Sequence, residues 1–351
     1  MKTLKDFNFK NKRVLVRCDF NVPLTPKGDI LDDFRIKKSI PTIEYLIKKG
    51  AKVILMSHLG RPKGKVVEDL RLDKIQEKLM EYLDLSVVKA KDCIGKETED
   101  WINQMAPGEI LLLENLRFHK EEKEADSDFA KALAKLADIY IQDAFASCHR
   151  NHASISLVPK FLPAAAGLLL EKEIKVLNKI IKNPVHPLVA IFGGREGDFK
   201  AINKLSEIAD WILIGGLIKK EIEEKNIKLK YPTKIIEPID NMEDSEDIGS
   251  QTINLFKEKI SQAKSIFWSG PLGKIEEKRF SKGTEEVAKA IIETDAFSVI
   301  GGGETVEFIN KIGLSENFSH ISTGGSSMLA FLSGEKLPGI EALNRSAVAS
   351  K

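Results

Sequence analysis

Polar and cationic side chains follow the apolar runs in the first half of the chain, where buried strands are predicted to end. They belong to Asp19, Asn21, His58, Arg61, Arg117, His149, Arg150 and His152. Because the carboxyl ends of parallel strands meet at one edge of a sheet, we expect these residues to lie close together. An arginine fork donates two parallel charge-assisted hydrogen bonds to a carboxylate or phosphate. The first half therefore predicts a binding site for a small, strongly anionic ligand.

Paired or tripled glycines follow the predicted strands of the second half. They are Gly193, Gly194, Gly215, Gly216, Gly270, Gly273, Gly301, Gly302, Gly303, Gly324 and Gly325. A residue without a Cβ lets backbone N–H groups approach a ligand, and the N-terminus of a following helix favours phosphate. The pattern therefore predicts a nucleotide-binding edge. It is not a Walker A loop, because residues 60–66 have only three residues between their glycines, and no GxGxxG motif follows a strand.

Apolar runs alternate with amphipathic segments along the chain, which is the pattern of an α/β protein. We predict two doubly wound parallel-sheet (Rossmann-like) domains, joined by an interdomain helix at residues 168–182. The first domain is placed at residues 1–165 and the second at residues 166–335, which leaves residues 336–351 as a C-terminal tail. The alanine-rich residues 163–167 precede this helix, which is interpreted as the connector between the two domains.

The composition argues against several classes of protein. The 351 residues are 42% hydrophobic with a formal net charge of +2, which is not typical of a non-specific nucleic-acid binder. Without an 18-residue apolar stretch or a signal peptide, we expect a soluble cytoplasmic protein, a monomer that binds no membrane. Cys18, Cys93 and Cys148 form no CxxC pair, so neither a disulfide framework nor a zinc site is indicated. The mixed charges of residues 119–124 are interpreted as a solvated surface.

Seven stretches, in order, give the chain a resemblance to the phosphoglycerate kinase family over nearly its whole length. They are residues 17–23 (RCDFNVP), 57–62 (SHLGRP), 112–118 (LLENLRF), 143–150 (DAFASCHR), 270–273 (GPLG), 301–303 (GGG) and 319–325 (SHISTGG). In that family the N-terminal domain binds 3-phosphoglycerate or its 1,3-bisphosphate, and the C-terminal domain binds Mg-ADP or Mg-ATP. The resemblance implies closure of the two domains about the interdomain helix and a tail that packs on the first domain.

The resemblance also implies a phosphoglycerate site. Its residues would be Asp19, Phe20, Asn21, Arg35, His58, Leu59, Gly60, Arg61, Arg117 and Arg150. Asp19 and Asn21 would hold the hydroxyl and carboxyl end of the glycerate. His58 and the three arginines after it would bind the 3-phosphate. Arg35, as a catalytic residue, would reach the phosphoryl group during transfer.

The implied nucleotide site lies in the second half. Its residues would be Gly193, Gly194, Lys200, Gly215, Gly216, Glu276, Gly302, Gly303, Glu304 and Thr305. Lys200 would be the second catalytic residue and would steady the transferring phosphate from the nucleotide side. Glu276 would contact the ribose, residues 302–305 the nucleotide phosphates, and Glu304 the Mg²⁺ that accompanies ATP or ADP. Phosphoryl transfer needs this positioning and charge neutralisation more than covalent chemistry.

The departures from the family pattern all fall in this nucleotide half. Glu196 stands where a phosphate-binding lysine is expected, with Arg195 beside it, and Glu304 replaces an aspartate. Leu217, Ser269 and Ser326 replace two glycines and an asparagine, and the segment between residues 217 and 247 is shorter than the family usually carries. Three hypotheses follow. The first is a phosphoglycerate kinase with a reduced nucleotide site, the second a non-catalytic phosphoglycerate-binding relative, and the third a kinase that uses another phosphoryl donor.

Overall fold

The structure, a computed structural model, describes residues 1–349. The chain divides into two units, and the boundary between them falls inside one long helix. The first unit is Met1–Lys172 together with the C-terminal segment from Lys336, and the second is Glu173–Glu335. Each unit contains a six-stranded parallel sheet, so the predicted fold class is confirmed. The sequence placed the first division at residues 165/166. Residues 350 and 351 of the predicted tail lie outside the described residues.

The strands of the first unit are β1 Arg13–Arg17, β2 Lys52–Met56, β3 Val87–Lys89, β4 Ile110–Leu112, β5 Ile139–Gln142 and β6 Ala164–Ala166. They lie in the order β3-β4-β2-β1-β5-β6, and all pairs are parallel. The central strands are continuous apolar runs because helices cover both faces of such a sheet. The register places Arg17 beside Met56 on one side and Gln142 on the other. The ends of β1, β2 and β5 therefore lie at one edge.

Strand β6 was not predicted from the sequence. Ala164–Ala166 pairs with Tyr140–Gln142 of β5, and all three alanines are buried. Alanine has a high intrinsic preference for helices, so an alanine run carries no local signal for a strand. The neighbouring strand supplies the hydrogen bonds that decide its conformation.

The helices of the first unit are α1 Phe34–Lys48, α2 Asp73–Leu83, α3 Lys96–Gln104, α4 Lys120–Glu124 and α5 Ser127–Lys135, and α6 Leu168–Lys182 carries the chain into the second unit. Helix α1 buries Ile36, Ile43 and Leu46, which have the spacing of one helical face. Within residues 1–349, no helix is both long and apolar enough to span a membrane.

The second unit is built in the same way. Its strands are β7 Leu188–Phe192, β8 Trp211–Ile214, β9 Ile235–Ile236, β10 Asn241–Met242, β11 Asp247–Ile248, β12 Ser265–Ser269, β13 Phe297–Gly301 and β14 His320–Ile321. Its parallel sheet has the order β14-β13-β12-β7-β8-β9, and β10 and β11 form a separate antiparallel pair. Its helices are α7 Phe199–Ser206, α8 Gly216–Glu224, α9 Ser250–Ser261, α10 Lys282–Ile292, α11 Gly303–Lys311 and α12 Ser326–Leu332.

The last helix, α13 Pro338–Ala349, belongs to the first unit. The N–H of Gly339 donates to the Cys148 carbonyl (3.0 Å), and the Ser346 hydroxyl donates to the Leu162 carbonyl (3.3 Å). A Cβ on Gly339 would lie 3.0 Å from the Cys148 Sγ, so this close approach requires glycine.

The start of helix α6 is held by a buried carboxylate. Asp143, which follows β5, accepts hydrogen bonds at Oδ1 from the N–H groups of Leu169 (3.0 Å) and Leu170 (3.3 Å). The Thr42 hydroxyl accepts from Leu168 (3.0 Å), so the first turn of α6 finds its partners in the first unit. Asp143 Oδ2 has no hydrogen-bond partner within residues 1–349. Burial raises the pKa of Asp143 to about 7, although these hydrogen bonds act in the opposite direction.

This raised pKa predicts a pH dependence of stability that Asp143→Asn removes. Between an ordinary aspartate pKa near 4 and about 7, the folded chain binds more protons at this site than the unfolded chain. The contribution of Asp143 to the free energy of unfolding is therefore full below about pH 4 and falls by up to about 1.4 kcal/mol per pH unit as the pH rises to 7. We expect the free energy of unfolding of the wild type minus that of Asp143→Asn, measured by urea unfolding, to fall as the pH rises from 4 to 7.

The matched control is Asp138→Asn. Asp138 is half-exposed and paired with Arg13 (2.7 Å), and its pKa is lowered instead of raised. The free energy of unfolding of the wild type minus that of Asp138→Asn should not fall as the pH rises from 4 to 7. A flat difference for Asp143→Asn as well would show that Asp143 is ionised throughout.

Candidate active site

The loops after β1 and β2 form one hydrogen-bonded unit. Asp19 Oδ2 accepts from the Arg35 guanidinium (3.1 Å), which also donates to the Asn21 carbonyl (3.1 Å). The Asn21 side chain accepts from the Gly60 N–H (2.8 Å). Gly60 has φ +63°, and a Cβ there would lie 2.7 Å from the Leu70 side chain, so glycine is required. The structure thus brings together four of the predicted substrate-site residues.

Phe20 and Leu59 contribute only their backbones to this unit. The side chain of each is buried in the apolar core of the first sheet. The N–H of Phe20 donates to the Ser57 hydroxyl (2.9 Å), and the N–H of Leu59 donates to the Asn115 amide oxygen (3.2 Å). These two residues therefore shape the loops, and their side chains are not placed to contact a ligand.

Beneath His58 lies a polar network that the sequence analysis missed. Arg17, only 1% exposed, donates from Nη2 to His58 Nδ1 (3.0 Å) and from Nε to the Ser154 hydroxyl (2.9 Å). The Ser154 hydroxyl in turn donates to Glu122 Oε1 (2.6 Å). Glu122 is fully buried, so the interpretation of residues 119–124 as a solvated surface is wrong for Glu122. The one available signal was a charged residue, Arg17, that directly continues a buried strand.

This network fixes the chemical form of His58. A guanidinium can only donate hydrogen bonds, so Nδ1 of His58 must accept and the ring proton of the neutral imidazole lies on Nε2. Burial lowers the pKa of His58 well below its ordinary value, and the neighbouring Arg17 and Arg117 add to that effect. His58 is therefore a neutral imidazole that can donate from Nε2.

Arg117 lies in the same cluster of positive charge. It is 7% exposed and donates from Nη1 to the Gly60 carbonyl (2.7 Å), and its Nε is without a hydrogen-bond partner among the described residues. Burial, together with Arg17 and Arg150, lowers its pKa to about 10. The same causes, with Arg117 as the nearest cation, lower the pKa of His152 to about 3. The cluster stabilises whatever anion binds to it, because its cations repel one another.

Arg61 and Arg150 lie at the surface of this cluster. Both are exposed. Arg150 lies close enough to Arg117 and His152 to lower the pKa of each, and Arg61 directly follows Gly60, whose carbonyl Arg117 binds. The structure thus brings the cations Arg117 and Arg150 together with the neutral His58 and adds Arg17 and His152, whereas Arg61 is linked to this group only through the adjoining Gly60.

The glycines of the second unit serve two different purposes. Those after β7 and β12 let two loops touch, because a Cβ on Gly193 would lie 2.1 Å from the Pro271 carbonyl oxygen and one on Gly270 would lie 2.0 Å from the Gly193 oxygen. The N–H of Gly194 donates to Pro271 (2.7 Å) and so is already bonded. Only at positions such as Gly303 would a Cβ meet no neighbouring atom. Loop packing therefore explains glycines such as Gly193 and Gly270, whereas the open space at Gly303 leaves room for a ligand.

A cavity of about 430 Å³ lies beside these loops. Its lining residues are Gly194, Arg195, Gly215, Gly216, Leu217, Glu246, Pro271, Leu272, Gly273, Lys274, Glu276 and Glu304. Arg195 pairs with Glu276 (3.1 Å), and the neighbouring Glu196 is not part of the lining. Lys200 lies outside the lining too, where it is exposed and pairs with Glu335 (2.7 Å). The volume is in the range of pockets that bind small ligands.

Helix α11 presents its N-terminus at the end of β13. Gly302 has φ +91° and precedes the helix, and the N–H groups of the first turn have no intrahelical partner. The hydroxyl of Thr305 is buried and lacks a hydrogen-bond partner in the part of the chain that the structure describes. Glu304, exposed in the same turn, offers the single hard carboxylate that Mg²⁺ typically takes from a protein when it binds with a nucleotide. These donors and this carboxylate fit a magnesium–polyphosphate group.

The fold and these two sites define an α/β protein with two Rossmann-like units, one with a buried cluster of arginines at its sheet edge and the other with a cavity beside the N-terminus of a helix. A family model described as phosphoglycerate kinase matches residues 4–226 and 219–335. A phosphoglycerate kinase from Dictyoglomus turgidum is 43% identical over 388 residues, which cover 97% of each chain. One from Aquifex aeolicus is 41% identical and covers 96% of each. The chain belongs to the phosphoglycerate kinase family.

Solved structures agree with this assignment. The crystal structure of phosphoglycerate kinase from Pyrococcus horikoshii has a TM-score of 0.89 and 32% identity, and the match covers 99% of this chain and 100% of that one. That from Coxiella burnetii has a TM-score of 0.81 and 30% identity, with 98% and 99% covered. The predicted family and enzyme class, a phosphotransferase with a carboxyl group as acceptor, are confirmed, and the comparisons do not favour the non-catalytic alternative.

The same comparisons locate a discontinuity in the nucleotide half. The alignment to the Dictyoglomus protein has 388 positions, more than the 351 residues of this chain, so residues of that relative have no counterpart here. The family model matches in two segments that meet at residues 219–226, which form the end of α8 and the turn after it. The shortened segment therefore begins beside the lining residue Leu217.

Because Arg117 lies among other cations, we expect Arg117→Gln to reduce the stabilisation of the folded protein by a bound anion. An Arg–phosphate bond is charge-assisted, and we expect its loss to weaken binding of 3-phosphoglycerate at least tenfold. At a ligand concentration about 100 times the wild-type dissociation constant, binding stabilises by about 2.7 kcal/mol, and a tenfold weaker site loses about 1.3 kcal/mol of it. The measurement is the ligand-induced rise in melting temperature of each variant.

Arg13→Gln is the control, because it makes the same change at the opposite end of β1, where Arg13 pairs with Asp138 (2.7 Å). The Arg13→Gln variant should keep the full ligand-induced rise in melting temperature. Equal rises in both variants would show that the cation cluster does not bind the phosphate.

Proposed function

We propose that the chain catalyses reversible phosphoryl transfer between 1,3-bisphosphoglycerate and ADP, which gives 3-phosphoglycerate and ATP. An oxygen of the ADP β-phosphate bonds to phosphorus as the phosphorus–oxygen bond to the carboxyl group breaks, and the carboxylate leaves. The observation that carries this proposal is the buried pair of guanidinium groups of Arg17 and Arg117 beside the neutral His58 and His152, because a bound phosphate would relieve the repulsion between the two arginines. A monomeric state and a cytoplasmic location stay predictions.

In the proposed substrate site, the neutral His58 donates from Nε2 to the 3-phosphate, and Arg117 and Arg150 neutralise its charge. Arg61 joins them from the loop after β2. Asp19 and Asn21 bind the hydroxyl and carboxyl end of the glycerate. Arg35 already donates hydrogen bonds to both of these residues. The Arg35 guanidinium then lies near the substrate carboxylate, where its positive charge can stabilise negative charge on the transferring group.

In the proposed nucleotide site, the polyphosphate binds at the N-terminus of α11, with Thr305 as a hydroxyl donor and Glu304 as the protein ligand of Mg²⁺. The magnesium neutralises phosphate charge when the nucleotide is bound. Glu276 contacts the ribose after it leaves Arg195, which is then free to take the place of the missing lysine beside the phosphates. Lys200 is proposed to leave Glu335 in the same way, since an exposed ion pair contributes little stability.

Two titrations and an assay separate catalysis from the non-catalytic alternative. We expect calorimetry to show binding of 3-phosphoglycerate and, separately, of Mg-ATP, and a coupled assay to show turnover that requires both. Binding of the acid alone, with no heat from the nucleotide and no turnover, would overturn the kinase proposal. Turnover with another donor from a panel of nucleoside triphosphates and polyphosphate, but none with ATP, would assign a different donor.

The position of Arg35 predicts a specific kinetic effect. Arg35→Ala should lower kcat by about 100-fold or more, since it removes charge stabilisation in the transition state, and should change the affinity for 3-phosphoglycerate by much less. Steady-state kinetics and calorimetry measure the two quantities separately. The control is Lys37→Ala on the same helix, where the exposed Lys37 pairs with Asp33 (3.1 Å), and this variant should change neither. Equal losses of kcat and affinity in Arg35→Ala would contradict the transfer role.

A further inference from the structure

Three side chains of metal-binding type meet in the first unit, beside the turn that carries Arg117. The ligand atoms of Asp92, Cys93 and His119 all lie within 4.8 Å of one another. Asp92 and Cys93 lie in the loop between β3 and α3, and His119 directly precedes α4. No sequence pattern points to this group, because a CxxC or similar spacing is absent and the two segments are far apart along the chain.

The group is already held in a defined geometry. Oδ1 of Asp92 lies 2.7 Å from His119 Nε2 and accepts from the N–H of Cys93 (2.6 Å). The imidazole of His119 stacks on the Phe129 ring, with 5.2 Å between centroids. Cys93 is buried, whereas the side chains of His119 and Asp92 are 26% and 51% exposed. A cation could therefore reach the imidazole and the carboxylate from solvent, and the thiol sulfur lies within 4.8 Å of both.

We propose that Asp92, Cys93 and His119 form a zinc-binding site. A thiolate, an imidazole and a carboxylate are all ligands that Zn²⁺ accepts, whereas a thiolate does not suit Mg²⁺ or Ca²⁺. Ligand atoms on one tetrahedral Zn²⁺ are about 3.3–3.6 Å apart, given bonds of 2.0–2.3 Å. The observed separations reach that geometry with small side-chain movements. Three protein ligands leave the fourth position for water.

The proton balance of this binding is specific. Zn²⁺ replaces the thiol proton of Cys93, and it takes the His119 Nε2 position while the imidazole keeps a proton on Nδ1. One proton is therefore released, and a second is released where His119 is protonated. Because binding releases protons, zinc affinity should increase with pH.

Bound zinc would also act on the neighbouring cluster. His119 follows Arg117 by two residues, and its N–H donates to the Leu116 carbonyl (3.2 Å) in the turn that carries Arg117. The metal would tie this turn to the loop after β3. It would thus act as a structural clamp, and the transfer reaction itself would not need it.

The test is a titration of the metal-free, reduced protein with Zn²⁺ against a chromophoric chelator. We expect one equivalent to bind, at least tenfold more weakly in Cys93→Ser and in His119→Gln. The control is His186→Gln, because His186 forms a matching pair with Asp210, also 2.7 Å, and the described residues place no cysteine in a cluster with it. This variant should bind zinc like the wild type, and Zn²⁺ should raise the melting temperature of both but not of Cys93→Ser.

A measurement on the unmodified protein removes any dependence on how the variants fold. Co²⁺ bound to the wild type should show the charge-transfer absorption of a cobalt–thiolate bond, and this absorption should disappear when Zn²⁺ is added. No stoichiometric binding, no thiolate absorption, or a loss of zinc affinity in His186→Gln in place of His119→Gln would overturn the proposal. In each of those cases the three side chains form a hydrogen-bonded contact only.

Discussion

The first unit depends on holding several cations at one buried edge of a parallel sheet. Charges removed from water are costly unless they are paired, and among residues 1–349 the direct hydrogen-bond partners of Arg17 are the neutral groups of Ser154, His58 and a carbonyl. Glu122 compensates from behind, through Ser154. The remaining excess of positive charge lowers the pKa of each neighbouring base. Such a site is less stable than it could be, as functional sites often are, because its missing partner is the ligand.

The sequence predicts the residues that follow the strands of this site but not the buried hydrogen-bond network behind them. Asp19, His58 and Arg117 follow apolar runs, and the geometry of parallel strands alone brings such residues to one edge. Arg17 and Ser154 are 137 residues apart, so no local pattern links them. Glu122 sits in a run of mixed charges of the kind that normally faces water. Its burial is decided by the turn at residues 153–157, which supplies its partners.

The same limit applies to backbone elements. Most strands and helices are visible as apolar runs or periodic segments, and helix 168–182 was predicted with the bounds that the structure has. Strand β6 was missed because alanine does not favour a strand by itself, and its pairing with β5 decides the outcome. The glycines at the strand ends were assigned one purpose, ligand approach. Gly193 and Gly270 instead make room for each other, which only their spatial contact reveals.

The two units prepare for anions in opposite ways. In the first, Arg117 and its neighbours repel one another and keep donor groups unpartnered, so a phosphate relieves a cost that the fold already carries. In the second, Arg195 and Lys200 each have a carboxylate partner, and a phosphate has to displace it. Both pairs are exposed, where an ion pair contributes little, so the exchange costs little too. The polyphosphate also brings Mg²⁺ as its own counter-charge, whereas the phosphate of a small acid depends on the protein for all of it.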